Sequence, residues 1–311
     1  MVILSQSVVL LFLFFRFLIK LRYFYLKKNF KVAIKLYKEM LDLLPDNNIV
    51  TNRECHENIA RCAVKEKLFC LSLRHCNLLH QSSKTLDHLS VSLSCLLETN
   101  LLALRLAEAY ICCIRLITIH KYSSHLWARL SVILSKLFFH SCVLKSDKKF
   151  MCSPGSSSQL ECKCGVDDCA AALTEEEQNL EVFLGINDCT KTLLLLFTLM
   201  MSKSILASTQ GTAVGIAGEE TNEKFKCVQK DISSLSENVP NSSLLAINNL
   251  VRKFVFGSSP ESSVEEEFID RGSSKYKNEH SCDVTPTAVL EMDCNRFSSY
   301  WFAKVFSIMD N

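Results

Sequence analysis

Residues Lys28 to Asn48 read KNFKVAIKLYKEMLDLLPDNN. Within them a small residue, Ala33, is followed four residues later by Tyr37 and three residues after that by Met40. This spacing puts the three side chains on one face of a helix, and Pro45 predicts where the helix ends. The pattern is typical of the second helix of a tetratricopeptide-type repeat, whose period is about 34 residues.

The same pattern occurs twice more in the first half of the chain. The positions that correspond to Ala33, Tyr37 and Met40 are Ser72, Cys76 and Leu79 in the second copy and Ala109, Cys113 and Leu116 in the third. In such repeats the small residue lets two helices approach closely, and the larger ones fill the space between helices. We therefore predict that these residues pack the repeats together.

Counting back from the small positions gives predicted units that begin near Phe14, Arg53 and Ser90, with a fourth near Ser124. The steps between these starts are 39, 37 and 34 residues. In the fourth unit Trp127 opens the sequence WARLS, which fits the W-x-x-L-G start of the consensus with serine in place of glycine. Only the first copy ends in a proline, so a set of amphipathic helices without repeat ancestry remains the alternative.

A repeat array of this kind is a binding surface, and its first helices line the concave side. The polar side chains with reach on the predicted first helices are Arg22, Asn58, Arg61, Asn100 and Arg129. We predict that they contact a peptide or helix of a partner protein. The alternative is that they are ordinary solvated residues.

Several of these segments also resemble a known animal family. They are IARC at 59–62, TLDHL at 85–89, IRLITIH at 114–120 together with Trp127, and YWFAK at 300–304. The resemblance is to the family known by the genomic label open reading frame 76 of chromosome 8, and it covers mainly residues 20–140. It implies a tetratricopeptide-like helical region and supplies no catalytic residues. The sequence departs from the family at its apolar amino terminus.

Composition favours helices and argues against nucleic acid. The chain has 311 residues, 48% of them hydrophobic, and only 8 glycines and 5 prolines, which is low for a β protein rich in tight turns. Its formal net charge of +2 gives no global field to attract nucleic acid. We expect an all-α protein, with no nucleic-acid partner.

The sixteen cysteines are spread over a long chain, and many fall on apolar helix faces. Free cysteine behaves as a small hydrophobic residue, so a reducing compartment, cytoplasmic or nuclear, is expected. As an alternative, Cys152, Cys162, Cys164 and Cys169 could hold zinc, although their spacing lacks two C-x-x-C pairs. No local motif indicates catalysis, and we expect neither a catalytic residue nor a cofactor.

The first residues are strongly apolar, and Val8 to Ile19 read VVLLFLFFRFLI. Residues 1–13 are interpreted as an apolar lead, either a membrane anchor or an artefact of the gene model. If residues 1–19 span a membrane, the basic residues that follow them keep the rest of the chain facing the cytoplasm. A membrane-tethered scaffold is therefore the alternative to a freely diffusing one.

The second half is predicted to contain less structure. Residues 145–172 are interpreted as a linker, and 173–210 as a capping helix that Thr174 and Glu177 begin with a capping box. Residues 211–284 are expected to be mostly flexible, with one amphipathic helix at 243–256. Residues 285–311 are predicted to form a C-terminal helix.

Together these patterns predict a short tetratricopeptide-like superhelix of helical hairpins at residues 14–144, with a capping helix and a partly disordered C-terminal half. The predicted function is that of a non-enzymatic intracellular adaptor that binds a protein partner. The alternatives are the membrane-tethered scaffold and the zinc or thiol protein.

Overall fold

The computed structural model describes residues 19–20, 23–45, 47–147, 186–210, 226, 229–237, 239–256, 286–292 and 294–308. Over these residues the chain is mostly helical and contains no strand, which confirms the all-α prediction. The helices are α1 (Phe30–Leu43), α2 (Ile49–Lys65), α3 (Phe69–Gln81), α4 (Leu86–Leu102), α5 (Leu106–Ile119), α6 (Ser124–Asp147), α7 (Asp188–Gln210), α8 (Asn241–Phe256), α9 (Pro286–Leu290), α10 (Cys294–Phe297) and α11 (Ala303–Phe306), with a π-helical turn at Ser298–Phe302.

The chain divides into two compact units, one ending and the other beginning between Arg105 and Leu106. In the first unit consecutive helices pack together: α1 on α2, α2 on α3, and α3 on α4. In addition, α2 packs on α4.

Polar side chains begin three of these helices. The side chains of Asn29, Asn48 and Thr85 accept hydrogen bonds from the backbone N–H three residues later, at 3.4, 3.3 and 3.2 Å. Each bond satisfies one of the N–H groups that a helix leaves unpaired in its first turn. The local sequence therefore determines where α1, α2 and α4 start.

Three turns in the chain share one backbone conformation. Lys28, Lys67 and Leu104 have φ of 56°, 60° and 60°, in the left-handed region that residues other than glycine seldom adopt. After each of them, an N–H bonds the carbonyl five residues back: Asn29 to Phe24, Leu68 to Ala63, and Arg105 to Asn100, at 3.0, 2.8 and 2.9 Å. This is the Schellman arrangement that ends a helix.

The small residues of the sequence pattern occupy the same place after each turn. Ala33, Ser72 and Ala109 each follow the left-handed residue by five positions, and each is the fourth residue of its helix, in α1, α3 and α5. All three are fully buried. The other predicted packing residues Tyr37, Met40, Cys76, Leu79, Cys113, Leu116 and Trp127 are also buried, whereas Pro45 is exposed just beyond the end of α1.

In the second unit α6 packs on α5 and on α7, and α7 packs on α8 and α11. Trp127 of α6 lies in an aromatic cluster, with its ring centre 5.9 Å from that of Phe197 and 5.0 Å from that of Trp301. Its indole N–H donates to the Lys121 carbonyl at 2.8 Å. The aromatic C-terminal segment thus packs within its own unit.

The C-terminal residues form short helical segments in place of the single helix predicted at 285–311. The Arg115 guanidinium donates to the carbonyls of Leu290 and Met292 at 2.7 and 3.2 Å. These bonds satisfy one carbonyl at the end of α9 and one just beyond it. The corrected boundary is Leu290.

Other predicted boundaries are only partly covered by the structure. Helix α7 begins at Asp188, where the side chain of Asn187 accepts from the Thr190 N–H at 2.8 Å. The predicted cap Thr174 and the start of the 173–210 helix lie outside the described residues, as do residues 1–13 and most of the 145–172 linker. The amphipathic helix predicted at 243–256 corresponds to α8, Asn241–Phe256.

Asp188–Ser208 is long and apolar enough to cross a membrane by length and composition alone. Most of it is buried in the second unit, and a core helix of a soluble protein meets the same criterion. It is the one such helix in the part of the chain that the structure describes.

Candidate functional site

The first unit presents a polar surface formed by α2 and α4. We define this α2–α4 face by Glu57, Asn58, Arg61 and Lys65 on α2 and Glu98 on α4. Lys65 Nζ lies 2.8 Å from Glu98 Oε1, so an ion pair joins the two helices at the surface. Because both side chains reach water, this pair contributes little to stability. It does make the two helices present one continuous polar face.

Arg61 lies at the centre of the α2–α4 face. Its Nε and one terminal nitrogen approach Glu57 Oε1 at 2.9 and 2.8 Å, one helical turn away. Burial lowers the pKa of the Arg61 guanidinium, but the nearby Cys95 and Glu57 outweigh burial and leave that pKa above its ordinary value. Arg61 is therefore charged at every relevant pH, and its guanidinium is held in one orientation at the surface.

Asn58 is half-buried beside Arg61, and its amide donates to the Glu54 carbonyl at 2.9 Å. The structure thus brings together two of the five predicted partner contacts, Asn58 and Arg61. Two of the other three lie elsewhere in the described part of the chain, and the third is outside it. Arg129 is half-buried on α6 in the second unit, and Arg22 lies outside the described residues.

Asn100 is not on the surface. Its side chain is only 3% exposed, and its Oδ1 is buried without a hydrogen-bond partner among the described residues. A buried amide oxygen left unpaired costs about 1–3 kcal/mol. The sequence register explains why Asn100 is buried. Asn100 comes five residues before Arg105, in the same way that Ala63 comes five residues before Leu68, and Ala63 is fully buried too.

Sequence reasoning missed a buried arginine that connects three helices. Arg53 of α2 donates to the Leu79 carbonyl at 2.9 Å, to the Ser82 hydroxyl, and to the His88 carbonyl at 3.2 Å. It therefore satisfies carbonyls at the end of α3 and at the start of α4. Its partners are 26 to 35 residues away in the chain, and no local pattern indicates them.

A histidine pair was also missed. The Nδ1 atoms of His56 on α2 and His75 on α3 are 2.8 Å apart, so one ring donates and the other accepts. Burial, together with the charges of His56, Lys38 and Arg74, lowers the pKa of His75 to about 4. Burial and Arg53 lower the pKa of His56 as well. Both rings are thus neutral at pH 7, and the cations around them disfavour a bound metal ion.

Buried thiols and hydroxyls form a second contact between helices in the first unit. Ser72 of α3 hydrogen-bonds Thr99 of α4 at 2.8 Å and donates to the Ala60 carbonyl at 3.0 Å. Cys76 and Cys95 pack beside these groups with Ala60. Here the small residue of the second copy of the sequence pattern, Ser72, carries a hydroxyl whose hydrogen bonds fix α3 against α2 and α4.

The described part of the chain contains no group of three or more histidine, cysteine, aspartate or glutamate side chains that could hold a metal ion. The zinc alternative at Cys152, Cys162, Cys164 and Cys169 lies outside that part. The described cysteines that are not in a disulfide are Cys55, Cys62, Cys76, Cys95, Cys112 and Cys113, which are buried, and Cys189, which is exposed. Cys70 is disulfide-bonded.

The chain matches no protein-family model, no curated protein and no solved structure.

Proposed function

We propose that residues 14–144 form a tetratricopeptide-like array, and that the protein is a non-enzymatic intracellular adaptor that binds a protein partner on this array. The observation that carries the proposal is the shared turn. Left-handed residues at 28, 67 and 104 are 39 and 37 residues apart, and each precedes a fully buried small residue by five positions. Unrelated amphipathic helices have no reason to repeat such a turn in the same register.

Helix packing in the first unit supports the same proposal. In arrays of helical hairpins each helix packs on its neighbours in sequence, and the first helices of adjacent repeats also pack on each other. By the sequence register α2 and α4 are first helices, and α2 packs on both α3 and α4. The α2–α4 face is thus the surface we assign to the partner.

The partner we propose is a peptide or helix that carries a carboxylate for Arg61. Arginine presents a planar set of donors that matches a carboxylate, and Arg61 is already held at the surface by Glu57. An acidic side chain of the partner would share the guanidinium with Glu57. Asn58, three residues before Arg61 and so about one turn away on the same side of the helix, would offer polar contacts beside it.

Proximity labelling with the full chain in cells tests this proposal. Proteins labelled by the wild type and lost with the double variant Asn58→Ala/Arg61→Glu are the expected partners. The matched control is Asn77→Ala/Arg74→Glu, which makes the same changes at exposed positions on α3. If both variants keep the wild-type set of labelled proteins, or both lose the same proteins, the α2–α4 face is not the binding surface.

A further inference from the structure

Helix α1 has one strongly basic face. Lys31, Lys35 and Lys38 recur at spacings of four and three residues, which align them along one side of the helix. All three are exposed, and Lys28 continues the row into the preceding turn. The opposite side of α1 carries the buried residues Ala33, Ile34, Tyr37 and Met40. The basic face therefore points away from the core of the first unit.

Within the described residues, little neutralises this face. The two acidic residues of α1 are Glu39 and Asp42. Glu39 is 3.8 Å from Lys35, at a site where the lysine side chain is 78% exposed. Pairs of this kind at a helix surface contribute only about 0.3–0.5 kcal/mol and are easily replaced by another anion.

Exposed apolar side chains directly precede the basic face. Ile19 is 70% and Leu26 71% exposed, and Tyr23 is also exposed. The Lys27 ammonium lies 5.9 Å from the centre of the Tyr23 ring. In the sequence, the apolar run Val8–Ile19 leads directly into this segment. Apolar and aromatic side chains next to a row of lysines are characteristic of segments that lie at a membrane–water interface.

We propose that residues 19–20 and 23–38 form a docking surface for a lipid bilayer that contains anionic headgroups. Lys28, Lys31, Lys35 and Lys38 bind the phosphate and carboxylate groups of the lipids. Ile19, Tyr23 and Leu26 enter the boundary between headgroups and acyl chains. A polyanion such as RNA would match the lysines but would leave the exposed aliphatic side chains in water, so the lipid surface is the occupant we favour.

This inference goes beyond the proposed adaptor function and does not depend on it. The lysine face lies on α1, whereas the assigned partner surface lies on α2 and α4. An adaptor with both surfaces would hold its partner against a membrane.

Vesicle flotation with the full-length chain tests the inference. We expect binding to phosphatidylcholine vesicles that contain phosphatidylserine, much weaker binding to pure phosphatidylcholine, and loss of binding at high salt, because the attraction is electrostatic. The variant Lys31→Gln/Lys35→Gln/Lys38→Gln should bind the anionic vesicles on the order of a hundredfold more weakly, since each lysine contributes roughly fivefold. Glutamine keeps a similar helix propensity, so the fold should be retained, which circular dichroism checks.

The matched control is Lys84→Gln/Lys230→Gln/Lys253→Gln, which removes three exposed lysines elsewhere and should bind like the wild type. The variant Leu26→Ser should also bind the anionic vesicles more weakly. Equal binding to neutral and anionic vesicles, unchanged in the lysine variant, would overturn the inference in favour of insertion of the apolar run. No binding to either kind of vesicle would also overturn the inference. Tighter binding of a single-stranded RNA homopolymer, which anionic vesicles fail to displace, would overturn it as well.

Discussion

At the scale of single residues, a few buried polar side chains determine how the helices of the first unit meet. Arg53, the His56–His75 pair and the Ser72–Thr99 bond each connect different helices. A buried polar group stabilises a fold only while its partners remain in place, because an unpaired one costs more than its bond contributes. These residues therefore favour one packing of the helices over alternative packings that would bury a similar apolar surface area.

Replacing Arg53 with methionine should strongly destabilise the first unit. The change keeps an unbranched apolar side chain but leaves the Leu79 and His88 carbonyls without their charged donor. We expect hydrogen exchange of amides in α2 and α3 to report a loss of about 2–3 kcal/mol. The exposed Arg74→Met on α3 is the control and should change stability by less than about 0.5 kcal/mol. Equal effects of the two changes would show that the Arg53 hydrogen bonds contribute nothing specific.

The histidine pair should make stability depend on pH. The pKa of His75 is lowered to about 4 in the folded chain, whereas an unfolded histidine has a pKa of about 6.5. Between these values the unfolded state binds more protons, so stability is complete above pH 6.5 and is lost as the pH falls toward 4. From pH 7 to pH 4.5 the contribution of this histidine should fall by about 2 kcal/mol.

The measurement is urea unfolding at both pH values, for the wild type and for His56→Gln/His75→Gln. The pH dependence that the wild type has and the variant lacks is the contribution of the pair, since carboxylates elsewhere titrate in both proteins. An identical pH dependence in the two proteins would rule out the neutral buried pair.

The cysteines should differ sharply in reactivity. Burial raises the pKa of Cys62 to about 11 and that of Cys55 to about 12, and the thiolate is the reactive form. Cys189 is exposed. Brief alkylation of the native chain followed by peptide mass spectrometry should label Cys189 and leave Cys55 and Cys62 unlabelled. In urea all three cysteines should be labelled equally. Equal labelling of all three in the native chain as well would mean that α2 is not packed as the structure shows.

At the scale of elements, the turn that precedes α1, α3 and α5 is the feature that recurs. Each copy places a residue other than glycine in the left-handed region, which costs about 1–2 kcal/mol. The sequence pattern gave the register through the buried small residues. It did not show the turns, because lysine and leucine carry no signal for left-handed backbone.

Replacing Lys67 with glycine should therefore stabilise the chain. Glycine adopts positive φ without strain, which outweighs its greater freedom in the unfolded state, and a gain of about 0.5–1 kcal/mol is expected. Lys28→Gly and Leu104→Gly should act in the same direction. Thermal unfolding measures the effect, and Arg74→Gly within α3, which should cost about 1 kcal/mol, is the control. If all four glycine variants lower the melting temperature alike, the three turns are not left-handed.

At the scale of the whole molecule, sequence reasoning succeeded where information is local. Ala33, Ser72 and Ala109 are each buried at the fourth position of a helix, and helix periodicity needs only a few neighbouring residues to indicate a buried face. It failed for Asn100, because the exposed side of a helix depends on what packs there. It also failed at the C-terminal segment, where the Leu290 carbonyl accepts a hydrogen bond from Arg115, 175 residues away.

The two ways in which the chain could meet a membrane, by a spanning helix or by a surface contact, concern different helices of the molecule. Helix α7 packs on α6 and α8 within the second unit, as expected of the core of a folded protein. The lysine face of α1, in contrast, is the surface that we propose for contact with a membrane.

A crystal structure of the full chain tests the central claim, that one helix pair recurs with a common register. Segments 24–40, 63–79 and 100–116 are then superimposed on one another by their backbones. The account predicts that they coincide, with left-handed φ at Lys28, Lys67 and Leu104 and with Ala33, Ser72 and Ala109 buried in each. An extended or right-handed conformation at any of the three turns, or one of the small residues facing solvent, would contradict it.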